Sequence, residues 1–315
     1  MVIIINNSGN YMKKIILYFL FYFTCQTLHA EPNKNISFYL YEDTKQLVLL
    51  VEDAASLIEK KGEEAFKEFD MPNSKWFNEK YYLFVYDITG NCVFHPIEPS
   101  LMGQNLSQFK DLDKKPVISL ITDIGKKNQP NASGWVFYLW ETPWKSPLPR
   151  WKSSYIRKVI APDGKIYLVG SGLYNIKIEK TFIQERVDTA AELILAKGKD
   201  VMFNELNNRS CPLHVLDTYI TVADSNFNLL VDPSFPSLAK KRSLANFHDK
   251  TGRNITEELL KALKNKDRLW ILYIWPRNET SRLARHTMYI RKIQINNETF
   301  YVFADLIPAM PVWMK

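Results

Sequence analysis

Two short segments of the chain carry tryptophan and tyrosine at the same spacing, and their side chains could form the walls of a small-molecule site. The segments are GWVFYLWETPW at 134–144 and LWILYIWPR at 269–277. Side chains alternate between the two faces of a strand, so Tyr138 and Trp140 share one face of the first segment. The second segment repeats this pair as Tyr273 and Trp275. A buried Tyr hydroxyl or Trp indole needs a hydrogen-bond partner, which a ligand could supply.

Cationic and aromatic side chains also recur just after these segments. Lys152 and Arg285 lie just before the next predicted strand, and Tyr155 and Tyr289 lie within it. A Lys or Arg in an aromatic pocket would select a carboxylate. Aromatic residues in strands are also common in plain hydrophobic cores, so the residues alone leave a ligand site and a packed core as open alternatives.

The two segments belong to an internal repeat that extends along most of the chain. VEDAASLIEKKG from Val51 matches VDTAAELILAKG from Val187, and FVYDITGNCVFHP at 84–96 matches TVADSNFNLLVDP at 221–233. The offset between matching residues drifts by only a few positions along the repeat, which chance does not produce. We therefore predict two tandem copies of one domain, at 31–175 and 176–315.

Each copy has the same predicted order of elements: an amphipathic helix, two short strands, a partly helical stretch and three strands. Apolar residues follow helical spacing over roughly 42–69 in the first copy and 176–206 in the second. Short turn-forming connections such as DITGN and PDG favour hairpins. The expected fold class is α+β, with each unit a long N-terminal helix packed on a five-stranded antiparallel sheet.

Signals for catalysis are weak. His95 is the obvious candidate general base, but the second copy has Asp232 at the matching position. We find no nucleophile motif, Walker sequence, HExxH or dinucleotide fingerprint, and no Cys/His cluster has metal-ligand spacing. The sequence therefore predicts a protein that is not an enzyme and has no cofactor. An enzyme that uses His95 is the minor alternative.

The first residues of the chain resemble an export signal. Two lysines precede the apolar run 15–25, and a polar stretch follows Ala30. The run is shorter than the about 20 residues that a membrane helix needs. We expect residues 1–30 to be a signal peptide and the mature protein to be periplasmic or secreted.

Charge and cysteine content narrow the possible partners. The net charge is +7, and it is spread along the chain without a dense Lys/Arg block, so a nucleic-acid partner is not expected. Outside the signal, the two cysteines are Cys92 and Cys211. One disulfide and two buried free thiols both remain open.

Taken together, the motifs of the first copy resemble the single Cache domain, an extracytoplasmic sensor module related to PAS folds. The matching motifs, in order, are YDITGNCVFHP, GQNL, DLDKKP, GWVFYLWETP, KSSYIRKV and YLVGSGLYN. The second copy keeps VADSNFNLLVDP, WILYIWP, RHTMYIRKI and FYVFADL. Because it lacks glycines equivalent to Gly134, Gly170 and Gly172, it resembles a divergent Cache domain.

The resemblance implies a pocket under the loop that follows the second strand, and a small organic acid or amino acid as ligand. By position, the ligand-binding residues in the first copy would be Tyr138, Trp140, Lys152 and Tyr155, with His95 at the rim. In the second copy they would be Tyr273, Trp275, Arg285 and Tyr289.

Members of this family usually feed a membrane helix and a cytoplasmic signalling domain, whereas this chain ends at Lys315. We therefore expect an exported binding protein without its own transducer, acting chiefly through the first copy and reporting to a membrane receptor or transporter. The alternative is an exported protein-interaction module, such as an effector or an envelope scaffold, whose pockets are filled by their own side chains.

Overall fold

The computed structural model describes residues 36–143, 146–276 and 282–306. The elements of the first repeat are α1 (Glu42–Lys61), a 3-10 turn (Gly62–Glu64), α2 (Ala65–Phe69), β1 (Leu83–Asp87), β2 (Cys92–Phe94), a 3-10 turn (Pro99–Leu101), α3 (Val117–Gly125), β3 (Ser133–Thr142), β4 (Ser146–Ile160) and β5 (Ile166–Tyr174). The predicted signal peptide at 1–30 lies outside the described residues.

The second repeat has the same elements in the same order. They are α4 (Lys180–Lys197), α5 (Lys199–Leu206), β6 (Thr221–Asp224), β7 (Leu229–Val231), a 3-10 turn (Pro236–Leu238), α6 (Ile255–Ala262), β8 (Arg268–Pro276), β9 (Leu283–Ile295) and β10 (Glu298–Leu306). Each predicted long helix is broken at the same place. Gly62 and Gly198 have φ values of 59° and 91° there, a backbone region that favours glycine.

Each repeat forms a five-stranded antiparallel sheet with the same strand order. The order is β2-β1-β5-β4-β3 in the first sheet and β7-β6-β10-β9-β8 in the second. Short connections join most neighbouring strands, which is why the ladders are antiparallel. The predicted fold class, two tandem α+β units each with a helix packed on a five-stranded sheet, is confirmed.

The two faces of the first sheet are covered by different helices. On one face α1 buries an apolar stripe that includes Leu47, Val51 and Ile58, each with no exposed surface. Burying a side chain of this size stabilises the fold by about 1.5–3 kcal/mol. On the other face α3 packs against the sheet through Ile118 and Ile121. This second face holds the candidate site.

The second repeat covers the edge strand of the first. Phe182 of α4 packs on Trp135 and Phe137, with ring centroids 4.7 and 5.2 Å apart. Arg186 donates a hydrogen bond to the Trp135 carbonyl at 2.8 Å. Trp135 and Phe137 therefore form a structural face, as their strand alternation predicts. One apolar core runs through both repeats, and the division between residues 175 and 176 stays a prediction.

The structure also shows the state of the two cysteines outside the predicted signal and the length and polarity of the described helices. Cys92 and Cys211 are both buried free thiols, so of the two open alternatives the structure shows free cysteines. In the part of the chain that the structure describes, no helix is both long and apolar enough to cross a membrane.

Candidate functional site

A small cavity lies between α3 and the sheet of the first repeat. Its empty volume is about 200 Å³ including the open side, which leaves room for about one ordered water. Its walls combine apolar and aromatic side chains with two nitrogen bases, and they are Phe84, Tyr86, His95, Val117, Ile118, Ile121, Tyr138, Trp140 and Lys152. Four of the five positions expected for the first copy are thus brought together here.

Lys152 is the central group of this cavity. Its side chain is 1% exposed, and Nζ donates a hydrogen bond to the Tyr82 hydroxyl at 2.5 Å. Five aromatic rings surround the nitrogen, with centroids at 4.2 Å (Tyr82), 5.2 Å (Phe84), 5.4 Å (Tyr174), 5.9 Å (Trp140) and 6.0 Å (Tyr138). Ring faces attract a cation, and this attraction strengthens when the pair is desolvated.

Two glycines of β5 make room for this arrangement. A Cβ atom on Gly172 would lie 2.7 Å from Lys152 Cε and 2.3 Å from Ser154 Oγ. A Cβ atom on Gly170 would lie 2.6 Å from Phe84 Cε2. These separations are far below van der Waals contact, so the lysine stem and the Phe84 ring need glycine at both positions.

Burial shifts the proton equilibria of both bases in the cavity. Desolvation lowers the pKa of Lys152 to about 7, although the negative charge of Glu98 acts in the opposite direction. Among the described residues, no carboxylate lies within ion-pair distance of Lys152 Nζ. Desolvation and the charge of Lys152 lower the pKa of His95 to about 3, so this imidazole is neutral.

The hydrogen-bond donors of the cavity are only partly used. His95 Nδ1 accepts the Glu98 backbone amide at 3.0 Å, so the neutral ring carries its proton on Nε2. The Tyr138 hydroxyl bonds to Ser154 Oγ at 2.9 Å. The Trp140 indole nitrogen is buried without a partner among the described residues. An acceptor in the cavity would therefore satisfy a donor that is already in place.

Tyr155 does not line this cavity, so the expectation for it is wrong. It lies three residues after Lys152 on β4, and an odd separation places two side chains on opposite faces of a strand. The Tyr155 hydroxyl points to the α1 side and donates to Glu52 Oε1 at 2.9 Å. Arg157 shares this face and forms a buried ion pair with Glu52 at 3.2 Å. Tyr155 therefore belongs to the helix–sheet contact.

In the second repeat, strand register corrects the expected cation. Tyr138 pairs with Lys152 across β3 and β4, and Tyr273 pairs with His286 across β8 and β9. The residue at the Lys152 position is therefore His286 and not Arg285, whose side chain is exposed.

Tyr289 also lies away from the pocket side of its sheet. Its hydroxyl bonds to the Asp188 carboxylate at 3.2 Å on the side of α4. Trp275 packs against Phe247 at 5.0 Å, on the same side of the sheet as Tyr273. Of the four positions expected in the second repeat, the structure brings Tyr273 and Trp275 together and separates Arg285 and Tyr289 from them.

The space that the first repeat leaves for Lys152 is filled in the second. Gly172 pairs with Ser154, and the equivalent pair is Asp305 with Met288. The Tyr273 hydroxyl donates to the Asp305 carboxylate. His286 is 3% exposed, and its Nδ1 lies 3.6 Å from Asp305 Oδ2.

The sequence reasoning missed several of these residues. Alternation along YYLFVYD would have placed Tyr82, Phe84 and Tyr86 on one face. The spacing before the shared YIRK motif would have matched Lys152 with His286, whereas no local signal identifies Asp305, because its role depends on which strands are neighbours.

Three solved structures are similar to part of this chain. A periplasmic sensor domain of a chemotaxis protein is 28% identical, with a TM-score of 0.32, and the match covers 40% of this chain and 86% of that chain. A Cache chemosensory domain described for carboxylic acid recognition is 26% identical, with a TM-score of 0.35 and coverage of 42% and 93%. A methyl-accepting chemotaxis protein from Vibrio parahaemolyticus is 22% identical, with a TM-score of 0.33 and coverage of 42% and 87%.

A family model described as Cache domain matches this chain over two overlapping ranges. The ranges are residues 18–179 and 74–297. Together they span well over half of the sequence and include both repeats. The duplicated helix-and-sheet units and the cavity of the first repeat agree with this match. The chain therefore belongs to the Cache domain family.

Proposed function

We propose that this protein is a sensor-type binding protein whose first repeat recognises a small carboxylate. Cache domains are sensory ligand-binding modules. The observation that carries the proposal is the buried amine of Lys152, which has an aromatic cage but no carboxylate partner among the described residues. Burying an unpaired cation costs several kcal/mol, and a bound anion would offset that cost.

The surrounding donors define how a carboxylate would be held. One oxygen would accept from Lys152 Nζ, and the other would accept from the Trp140 indole or from His95 Nε2. The fold holds both neutral donors in place, so they would orient the carboxylate, while Lys152 would supply the positive charge. Because the cavity as it stands has room for about one water, even a two-carbon acid requires its walls to move apart, so we expect acids of two or three carbons to bind best and longer chains to be rejected by Val117 and Ile121.

Calorimetry and thermal shift with acetate and propionate test this proposal. Ligand at 100 times its dissociation constant should stabilise the protein by about 2.7 kcal/mol. Lys152→Met should lose this stabilisation, whereas His286→Met, at the equivalent position of the second repeat, should keep it. If no short acid binds, or if Lys152→Met binds as well as the wild type, the proposal is refuted.

The second repeat supports a different role, because Asp305 and Tyr273 occupy the equivalent space with their own side chains. We propose that it acts as a structural and interaction unit that covers β3 of the first repeat. One bound acid per chain in calorimetry is the expected result. Two equivalent sites would contradict this assignment.

We also propose an extracytoplasmic location, which rests on the leader-like pattern before Ala30. Mass spectrometry of protein expressed in its natural host would show whether the mature chain begins after that residue. Intact residues 1–30 on the cellular protein would contradict this part of the proposal.

A further inference from the structure

Lys152 is a primary amine in surroundings that suit reaction with a carbonyl group. Lys152 lines the cavity, and aromatic rings surround its Nζ. Desolvation favours the neutral amine, which is the nucleophilic form, and the pKa of about 7 leaves much of it neutral near neutral pH.

A hydrogen-bond chain leads from this amine to the surface. Lys152 Nζ donates to the Tyr82 hydroxyl at 2.5 Å, and the Tyr82 and Tyr174 hydroxyls are 3.4 Å apart. The Tyr174 hydroxyl donates to the carbonyl of the exposed Glu141 at 2.6 Å. Because the Tyr174 hydroxyl donates its only proton to this carbonyl, it can only accept from Tyr82, and the Tyr82 hydroxyl is the donor between the two. All three bonds then point outward and fix the orientation of both hydroxyls, so Tyr82 presents an acceptor to Lys152 Nζ.

We propose that Lys152 captures a small 2-oxo acid as a reversible imine. The inference rests on the proposed function, because the carboxylate of such an acid would still be bound in the same cavity. In this mode the Trp140 indole and His95 Nε2 would hold the carboxylate. They are the two donors left for the carboxylate when Lys152 Nζ is bonded to the carbonyl carbon.

The reaction is a condensation without any change in oxidation state. The nitrogen lone pair attacks the carbonyl carbon, the C=O π electrons move to oxygen, and that oxygen takes up a proton while nitrogen loses one. The resulting hydroxyl leaves as water after a second protonation, the C=N bond forms, and nitrogen gives up its second proton, which replaces the one taken up by the hydroxyl. One amine and one carbonyl compound give one imine and one water, and added water reverses the step.

A second buried lysine provides an internal control. Lys115 is also 1% exposed, and its pKa is lowered to about 8 by desolvation. Its Nζ donates to the Phe137 carbonyl at 2.9 Å and the His214 carbonyl at 3.4 Å, and it does not line the cavity. Burial alone therefore predicts that both lysines react, whereas the proposed geometry predicts that only Lys152 does.

The test uses glyoxylate, the smallest 2-oxo acid, with glycolate as the carbonyl-free control. The full-length protein is incubated with each compound and treated with borohydride, and peptides are analysed by mass spectrometry. Reduction should leave Lys152 heavier by the mass of the acid less one oxygen. Its modification should exceed that of Lys115 and of the exposed Lys165 by about tenfold or more, since the exposed amine is almost fully protonated.

The outcomes separate this inference from the proposed function. Stabilisation by glycolate with no reduced adduct on Lys152 overturns the imine and leaves carboxylate binding intact. Equal modification of Lys152, Lys115 and Lys165 also overturns it, because the reaction would then be unselective. No stabilisation by either compound and no adduct would refute both.

Discussion

Replacing Lys152 by methionine should make the ligand-free protein more stable. The lysine is 1% exposed, and methionine has a similar length without a charge. In the folded protein the ammonium of Lys152 is buried, and no described carboxylate neutralises it, which lowers the free energy of unfolding. Under the proposed function, a bound carboxylate would offset this cost.

The size of the effect follows from the pKa. Burial lowers the pKa of Lys152 from 10.5 to about 7, and one pKa unit corresponds to 1.36 kcal/mol. The protonated amine therefore destabilises the fold by at most about 5 kcal/mol at a pH below 7. Methionine also loses the hydrogen bond to Tyr82, which offsets about 1–2 kcal/mol. We expect a net gain of at most about 3–4 kcal/mol below pH 7.

The pH dependence identifies the cause. Between about pH 7 and 10.5, the unfolded chain binds a proton at Lys152 that the folded chain does not, so wild-type stability rises with pH relative to the variant. The advantage of Lys152→Met is complete below pH 7 and disappears as the pH approaches 10.5. Ionisation of the other groups is common to both proteins and cancels in the difference.

Urea unfolding of both proteins, followed by tryptophan fluorescence at several pH values, measures this difference directly. Tyr273→Phe, at a similarly buried aromatic site in the second repeat, provides a control that should show no such pH-dependent gain. A variant less stable than the wild type, or a gain that does not change between pH 7 and 10.5, would refute the reasoning.

Three further predictions concern the same sheet. Carboxylate affinity should fall about tenfold per pH unit above the pKa of Lys152, because the amine must then take up a proton; calorimetry that finds constant affinity would exclude Lys152 as the partner. Gly172→Ala should cost about 1–3 kcal/mol in urea unfolding and remove acid binding, since the new Cβ would lie 2.3 Å from Ser154 Oγ and 2.7 Å from Lys152 Cε. Tyr155→Phe should cost about 1–3 kcal/mol by removing a donor from Glu52, and unchanged acid affinity in calorimetry would confirm that it lies outside the site.

The fold could be predicted because its signals are local and occur twice. Helical spacing and turn residues locate the elements of each repeat, and the constant offset shows that the second copy repeats the first. Alternation along β3 correctly separates Trp135 and Phe137 from Tyr138 and Trp140. The break in each long helix was not predicted, because it depends on one backbone conformation at Gly62 and Gly198.

The site could be predicted only in part, because it depends on register between strands. Tyr155 was placed in the cavity although its separation from Lys152 along the strand is odd. Arg285 was matched to Lys152 because it precedes the same motif, but the ladder pairs Tyr273 with His286. Counting back three residues from Tyr155 and Tyr289 also matches Lys152 with His286, so the error came from preferring a residue of like charge. The register that places Asp305 is set across the hairpin by the turn and by packing between strands.

The two repeats differ in the groups that face the pocket and agree in the groups that protect the edge of each sheet. Asp111 accepts the Leu139 amide of edge strand β3 at 2.9 Å, and Asp249 accepts the Ile274 amide of β8 at 3.1 Å. Cations complete both edges, since Lys115 and Arg253 donate to the carbonyls two residues earlier on the same strands. An unpaired edge strand is prone to association with other chains, so this cover is needed whether or not a ligand binds.

The pocket positions carry no such requirement, and they have diverged. His286 replaces Lys152, and Asp305 replaces the glycine that gave the lysine room. An acid in this place would repel a carboxylate, and its hydrogen bond with Tyr273 uses the hydroxyl that faces the cavity in the first repeat. The same scaffold thus holds an open cationic cavity in one copy and a closed acidic contact in the other. We therefore assign the chemistry of recognition to the first repeat and the burial of its exposed strand to the second.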